Sequence, residues 1–144
     1  MIEQWRELIE TAARRNGLDP SLLAAIVQVE SGGDPDAARY ERFVDATSIG
    51  LMQIMTFPYR NLSPGLLLDP AYNLNYGARL FASVLKNADG DTRLALALYN
   101  CGAEGVRRNL CGKYGGYRYA DKVLETCHEF GGCDAPRVGG HFVY

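Results

Sequence analysis

Leu-Leu-Ala-Ala-Ile-Val-Gln-Val-Glu-Ser-Gly-Gly, residues Leu22 to Gly33, is the stretch on which the reading of this chain turns. At helical period Leu23, Ile26, Val27 and Glu30 fall at i, i+3, i+4 and i+7, so they share one face. The first three are what a core-facing stripe should hold; the fourth is a carboxylate. An acid on an apolar face is costly unless it is paired or stays protonated. Gly32-Gly33 stops the run just after it, which places Glu30 in the last helical turn. There the partial negative charge of the helix terminus also disfavours an anion. Both effects push the pKa of Glu30 upward. A carboxylic acid held neutral near working pH is what glycoside cleavage demands of its general acid. The plainer alternative is a Glu that turns to solvent or pairs with an Arg, and the rest of the chain has to decide between the two.

Asp19-Pro20 opens that helix with an N-cap and a proline at its first position. Upstream, Ile2, Trp5, Leu8, Ile9, Ala12 and Ala13 sit at helical spacing, and Asn16-Gly17 ends the run. Downstream, a polar connection from Asp34 to Thr47 carries Tyr40 and Phe43, and a short apolar run from Ser48 to Met55 follows. Asp69-Pro70 repeats the cap device and launches a helix with Leu74, Ala78, Phe81 and Leu85 on one face, closed by Asp89-Gly90. Asp91 caps a fifth helix, Thr92 to Tyr99, which Asn100-Cys101-Gly102 interrupts before a short continuation. A Gly- and Tyr-rich loop from Lys113 to Arg118 leads into a last helix striped by Ala120, Val123, Leu124, Cys127 and Phe130. No segment alternates at period two for long enough to predict a strand. The expectation is all-α: one domain over residues 1–144 with about six helices, its motif-bearing core at about 20–130 and a tail at 131–144.

Composition narrows the function classes. An apolar fraction of 47% and a charged fraction of 22% are ordinary for a globular domain. A net charge of −2 gives no basic field for nucleic acid, although local arginines such as Arg39 and Arg42 could meet an anionic polymer. No apolar run approaches a membrane span, and Met-Ile-Glu-Gln-Trp-Arg-Glu has neither the basic nor the apolar region of a secretion signal. The four cysteines, Cys101, Cys111, Cys127 and Cys133, allow three pairings that sequence cannot separate. None has CxxC spacing, so no metal is expected.

Glu30-Ser31, Gly50-Leu51-Met52-Gln53-Ile54, Tyr99-Asn100-Cys101-Gly102 and Tyr119, taken together and in that order, resemble the catalytic domain of soluble lytic transglycosylases. The stretch from Asp69 to Arg79 is similar to that family's connecting helix. The resemblance implies a lysozyme-like fold and a reaction on peptidoglycan glycan strands without cofactor or metal. It makes Glu30 the acid, then the base, with Ser31 bonding near it or the sugar. Gly50 would allow close approach, Met52 and Gln53 would line a cleft, and Tyr99, Asn100 and Tyr119 would contact substrate. Tyr114 and Tyr117 could stack on sugar rings. Ser31 can instead bond backbone, and Asn100 can instead cap a helix; Leu51 and Ile54 read as core. The implied product is a 1,6-anhydro end at N-acetylmuramic acid. The protein is expected to act on the bacterial wall, as a monomer, with no nucleic-acid partner and no membrane span. Two positions depart from the family pattern: Cys101 and Leu98 each stand where Ala is usual, which touches substrate preference. Goose-type lysozymes share Gly-Leu-Met-Gln but hydrolyse the same bond with water, for which Asp45 is the candidate orienting acid. A binding module that kept the fold is the remaining alternative.

Overall fold

The computed structural model describes residues 2–42, 45–57, 62–107 and 115–133. Cys111, Tyr114 and the tail beyond Cys133 lie outside them. A 3-10 turn, Ile2–Trp5, runs into α1, Arg6–Arg15. The Glu30 stretch forms α2, Pro20–Ser31. Three short strands follow: β1, Ala38–Glu41; β2, Ala46–Ile49; and β3, Ile54–Thr56. The helices then resume with α3, Pro64–Leu67; α4, Pro70–Asn87; α5, Thr92–Arg107; and α6, Gly115–Glu129.

Helix α2 is the axis of the domain. Its residues from Ser21 to Val27 are all buried, and full burial of side chains such as Leu23 and Ile26 is worth roughly 1.5–3 kcal/mol each. Asp19 starts it, its carboxylate accepting from the Ser21 amide at 2.8 Å. Gly32 ends it in the left-handed conformation, φ 64°, which a residue with a Cβ rarely adopts. Helix α6 packs along α2 in the opposite sense, so that Phe130 lies by Ser21 at one end and Tyr119 by Glu30 at the other. The expected stripe on α6 holds: Ala120, Val123 and Cys127 are fully buried, with Leu124 and Phe130 packed against the core. Asp69 and Asp91 also act as expected, accepting from the amides of Tyr72 at 2.8 Å and Leu94 at 3.0 Å.

Two expectations need correction within this mainly helical fold. The polar connection and the apolar run after it form an antiparallel sheet, order β1-β2-β3, with Ala38 opposite Ile49 and Ile49 opposite Ile54. Strands of three or four residues are too short to display a period, and Ala38, Arg39 and Tyr40 of β1 are exposed on both faces. The final helix begins at Gly115, so Gly116 and Tyr117 are helical rather than loop. Packing overrides propensity here, because a Cβ on Gly116 would sit 2.9 Å from both the Ala97 carbonyl oxygen and Cys101 Sγ.

A disulfide joins Cys127 to Cys133, and Cys101 is disulfide-bonded as well. The Cys133 amide donates to the free oxygen of Asp19 at 3.0 Å. One carboxylate thus caps α2 and ties down the chain that follows α6. Asp19, Cys127 and Cys133 lie within 4.8 Å of one another, but both sulfurs are spent in the disulfide and both carboxylate oxygens on backbone amides.

Candidate active site

The site is assembled where the end of α2, the β-hairpin and the faces of α5 and α6 meet. Its frame is a buried amide. Asn73, on α4, has no exposed surface. Its Nδ2 donates to the carbonyls of Ile49 and Leu67, both at 2.9 Å, and its Oδ1 accepts from the Met52 amide at 2.8 Å. Gly50 lies so close that a Cβ there would fall within 2.6 Å of the Leu67 carbonyl, with φ 78° besides. The close approach expected at Gly50 is made by the Leu67 backbone and the Asn73 side chain. Gly77 likewise makes room for Met52, whose sulfur would lie 2.3 Å from an added Cβ.

Ser31 ties this turn to α2. Its hydroxyl donates to the Leu51 carbonyl at 2.8 Å and accepts from the Gly33 amide at 3.2 Å. Of its two expected roles, the backbone one is seen. Trp5 holds the same corner from the other side, its Nε1 donating to the Gly33 carbonyl at 2.8 Å. Gln53, at φ 50°, turns its amide nitrogen onto the carbonyls of Ala37 and Gly50 at 3.1 and 3.0 Å. Those bonds commit its donors to the hairpin and leave Oε1 as the group it can offer a ligand.

Glu30 projects into this corner from the last turn of α2. Burial raises its pKa from the ordinary 4.5 to about 7, with the Tyr119 hydroxyl and the Arg39 charge pulling it down and the Glu41 charge pushing it up. Burial pushes the Tyr99 and Tyr119 phenols well above their usual range, and the charge of Glu30 adds to this. Both phenols are therefore neutral donors. Tyr99 donates to the Met52 carbonyl at 2.9 Å and meets the edge of Phe81 at 5.7 Å between ring centres. The Tyr119 hydroxyl is buried yet makes no regular hydrogen bond among the described residues; the acceptor it faces is the Glu30 carboxylate.

Residues 7–120 match the family described as the transglycosylase SLT domain. The chain belongs to that family. The transglycosylase of Enterobacteria phage PRD1 is 35% identical to this SLT domain over 135 residues, covering 94% of this chain and 47% of the phage protein. The endo-type membrane-bound lytic murein transglycosylase A of Salmonella paratyphi B is 33% identical over 95 residues, or 58% of this chain and 44% of that protein. The chain thus spans about half the length of the curated relatives it matches. Two solved structures share the fold. The 70 kDa soluble lytic transglycosylase Slt70 of Escherichia coli matches 96% of this chain and 26% of its own at a TM-score of 0.73 and 21% identity. An inactive mutant of Slt from Pseudomonas aeruginosa matches 88% of this chain and 24% of its own at 0.70 and 24%.

Within this SLT domain the expected site residues divide. Glu30, Ser31, Gly50, Gln53, Tyr99 and Tyr119 converge on one corner. The Met52 side chain does not line a cleft: it is fully buried against Gly77, and only its backbone faces Tyr99 and Asn73. Leu51 and Ile54 are core, as expected. Asn100 is exposed next to Cys101, just before the break at Gly102, φ 71°. Leu98 packs against the core. Tyr117 lies under the Arg93 guanidinium, 4.4 Å from its ring centre, rather than free on a loop. Asp45 accepts from the Tyr40 hydroxyl at 2.7 Å on the exposed side of the hairpin. A separate open groove of 370 Å³ runs between α2 and α6, lined by Gln28, Val29, Lys122, Thr126, Glu129 and Phe130. Glu30 does not line it.

Sequence reading missed three residues of this corner. Asn73 could have been found as an amide beside the apolar stripe of α4, four residues before a glycine on the same face. Arg39 reads from sequence as a charge that could meet an anionic polymer and Glu41 as a solvated acid of the polar connection, because nothing marks β1 as a strand.

Proposed function

We propose that this domain is a peptidoglycan lytic transglycosylase that cleaves the β-1,4 bond between N-acetylmuramic acid and N-acetylglucosamine without water. Protonated Glu30 donates its proton to the glycosidic oxygen as the bond to C1 of the muramoyl sugar breaks. The Glu30 carboxylate then takes the proton of the C6 hydroxyl while O6 bonds to C1, closing the 1,6-anhydro ring. Glu30 ends protonated, so the cycle balances with one residue. The observation that carries this reading is the half-buried Glu30 carboxyl in the last turn of α2, facing the Tyr119 phenol, with burial raising its pKa to about 7, at the position of the family's catalytic acid. Hydrolysis calls for a second carboxylate to activate water. Among the described residues the other carboxylate whose charge acts on Glu30 is Glu41, and it is paired to Arg39 at 3.2 Å. The two buried phenols supply neutral donors that do not compete with Glu30 for its proton.

The protein is read as acting on the bacterial wall as a monomer; no helix among the described residues is long and apolar enough to cross a membrane. Digestion of purified peptidoglycan, followed by mass spectrometry of the released muropeptides, tests the proposal. Products one water lighter than hydrolysis products, and absent with Glu30→Gln, are expected. Products with ordinary reducing ends would make the domain a lysozyme. Binding without any cleavage would make it a wall-binding module.

A further inference from the structure

The chain leaves α2 through two glycines in the left-handed region, Gly32 at φ 64° and Gly33 at φ 86°. Gly33 is buried, so both of its backbone groups need partners. Its amide donates to Ser31 Oγ at 3.2 Å, and its carbonyl accepts from Trp5 Nε1 at 2.8 Å. Trp5 closes the N-terminal 3-10 turn, half-buried against the core. It precedes residue 7, where the match to the SLT family begins.

Ser31 continues the connection. Its hydroxyl has one proton and two carbonyls in reach: Leu51 at 2.8 Å and Val27, one turn back in its own helix, at 3.2 Å. The Gly33 amide occupies a lone pair of the same oxygen, which restricts where that proton can point. Aimed at Leu51, the proton joins the end of α2 to the turn that carries Gln53 and the Met52 carbonyl, the acceptor of Tyr99. Turned back to Val27, it would leave that turn unheld. One run of hydrogen bonds therefore leads from the Trp5 indole through Gly33 and Ser31 to Leu51, and its middle member is the residue after Glu30.

We propose that the Trp5 indole N–H is a positioning group for the reaction. By holding Gly33 it keeps the Ser31 proton on Leu51, and so fixes the end of α2 that bears Glu30 against the Gly50–Gln53 turn. This rests on the reading of Glu30 as acid then base. Trp5 touches no reacting atom; it acts through Ser31. The placement matters because a displacement of about 1 Å at a reacting centre can cost on the order of 100-fold in rate.

Trp5 is the single tryptophan of the chain, so its N–H can be removed alone. Biosynthetic replacement of tryptophan by 3-benzothienylalanine puts sulfur in place of the N–H in a ring of nearly the same shape. The 5-fluorotryptophan protein, which keeps the N–H, is the control, and Trp5→Phe is the encoded counterpart. Each is assayed on soluble peptidoglycan fragments once circular dichroism shows it folded. The benzothienyl protein and Trp5→Phe should lose about tenfold in kcat with KM within about twofold, while the fluorotryptophan protein matches the parent. In Ser31→Ala, where the run is already cut, the benzothienyl replacement should cost less than about twofold more. An unchanged kcat in the benzothienyl protein overturns the proposal. So does an equal loss in the fluorotryptophan protein, or a full loss added to that of Ser31→Ala. A kcat that depends on the N–H, alongside products with ordinary reducing ends, would uphold the positioning role and remove the transglycosylase reading. Anhydro products with a kcat indifferent to the N–H would do the reverse.

Discussion

The two ends of α2 are built in opposite ways. At the N-terminal end every polar group is answered. Asp19 accepts from Ser21 and Cys133, Ser21 reaches the Phe130 carbonyl at 3.4 Å, and the Cys127–Cys133 disulfide closes over them. At the C-terminal end a carboxyl group is buried at a cost large enough to bring its pKa to about 7, and the phenol facing it has no regular partner. Folding alone gives no reason for the second arrangement, since an apolar side chain at position 30 would bury at a gain. One end of the helix holds the fold; the other carries the unmet polar groups that a substrate can meet.

The largest way to break the comparison is Glu30→Gln. Muropeptide release should fall by about 10³-fold or more, as expected for loss of the acid and base together. Stability should move the other way. The folded protein holds the Glu30 proton more tightly than the unfolded chain does, so this contribution is complete below pH about 4.5 and is lost as pH rises through about 7. Glutamine cannot ionise. The variant should therefore be more stable than the parent by about 3 kcal/mol at pH 8, with the difference gone near pH 4, as denaturant unfolding at the two pH values would show.

Asn73→Ala should cost about 3 kcal/mol or more, because it orphans two buried carbonyls and one amide in a single step. It should lower activity too, through the displaced turn. Asp19→Ala strikes the satisfied end instead: a loss of about 1–2 kcal/mol in thermal or chemical unfolding, with turnover per folded molecule little changed. The smallest effect is expected from Tyr119→Phe. Its hydroxyl makes no regular bond, so stability should stay within about 0.5 kcal/mol. The Glu30 titration should nonetheless rise above about 7, since the phenol now pulls it down.

Much of this contrast is readable from the chain. A Glu at i+7 of an apolar stripe, stopped by two glycines, marks a candidate that only the later motifs favour over a solvent-facing acid, and Asp-Pro marks two helix starts by its capping chemistry. The sheet was not readable because its strands are shorter than any period they could show. The burial of Met52 was not readable either. It depends on Gly77, some twenty-five residues away, leaving a space of the right shape. Gln53 carried the right chemistry but spends its donors on the hairpin, which only a known turn could reveal. Glu41 reads as a solvated acid and Arg39 as a charge for an anionic polymer because strands this short leave no pattern in the sequence.

The central claim is that Glu30 keeps its proton near neutrality. Carbon NMR of the labelled Glu30 carboxyl, titrated from about pH 3 to about pH 9 without substrate and assigned by its absence in Glu30→Gln, tests it most directly. A midpoint near 7 is the predicted result. A midpoint near the ordinary 4.5 would mean a solvated carboxylate, and the corner described here would not be an acid–base site.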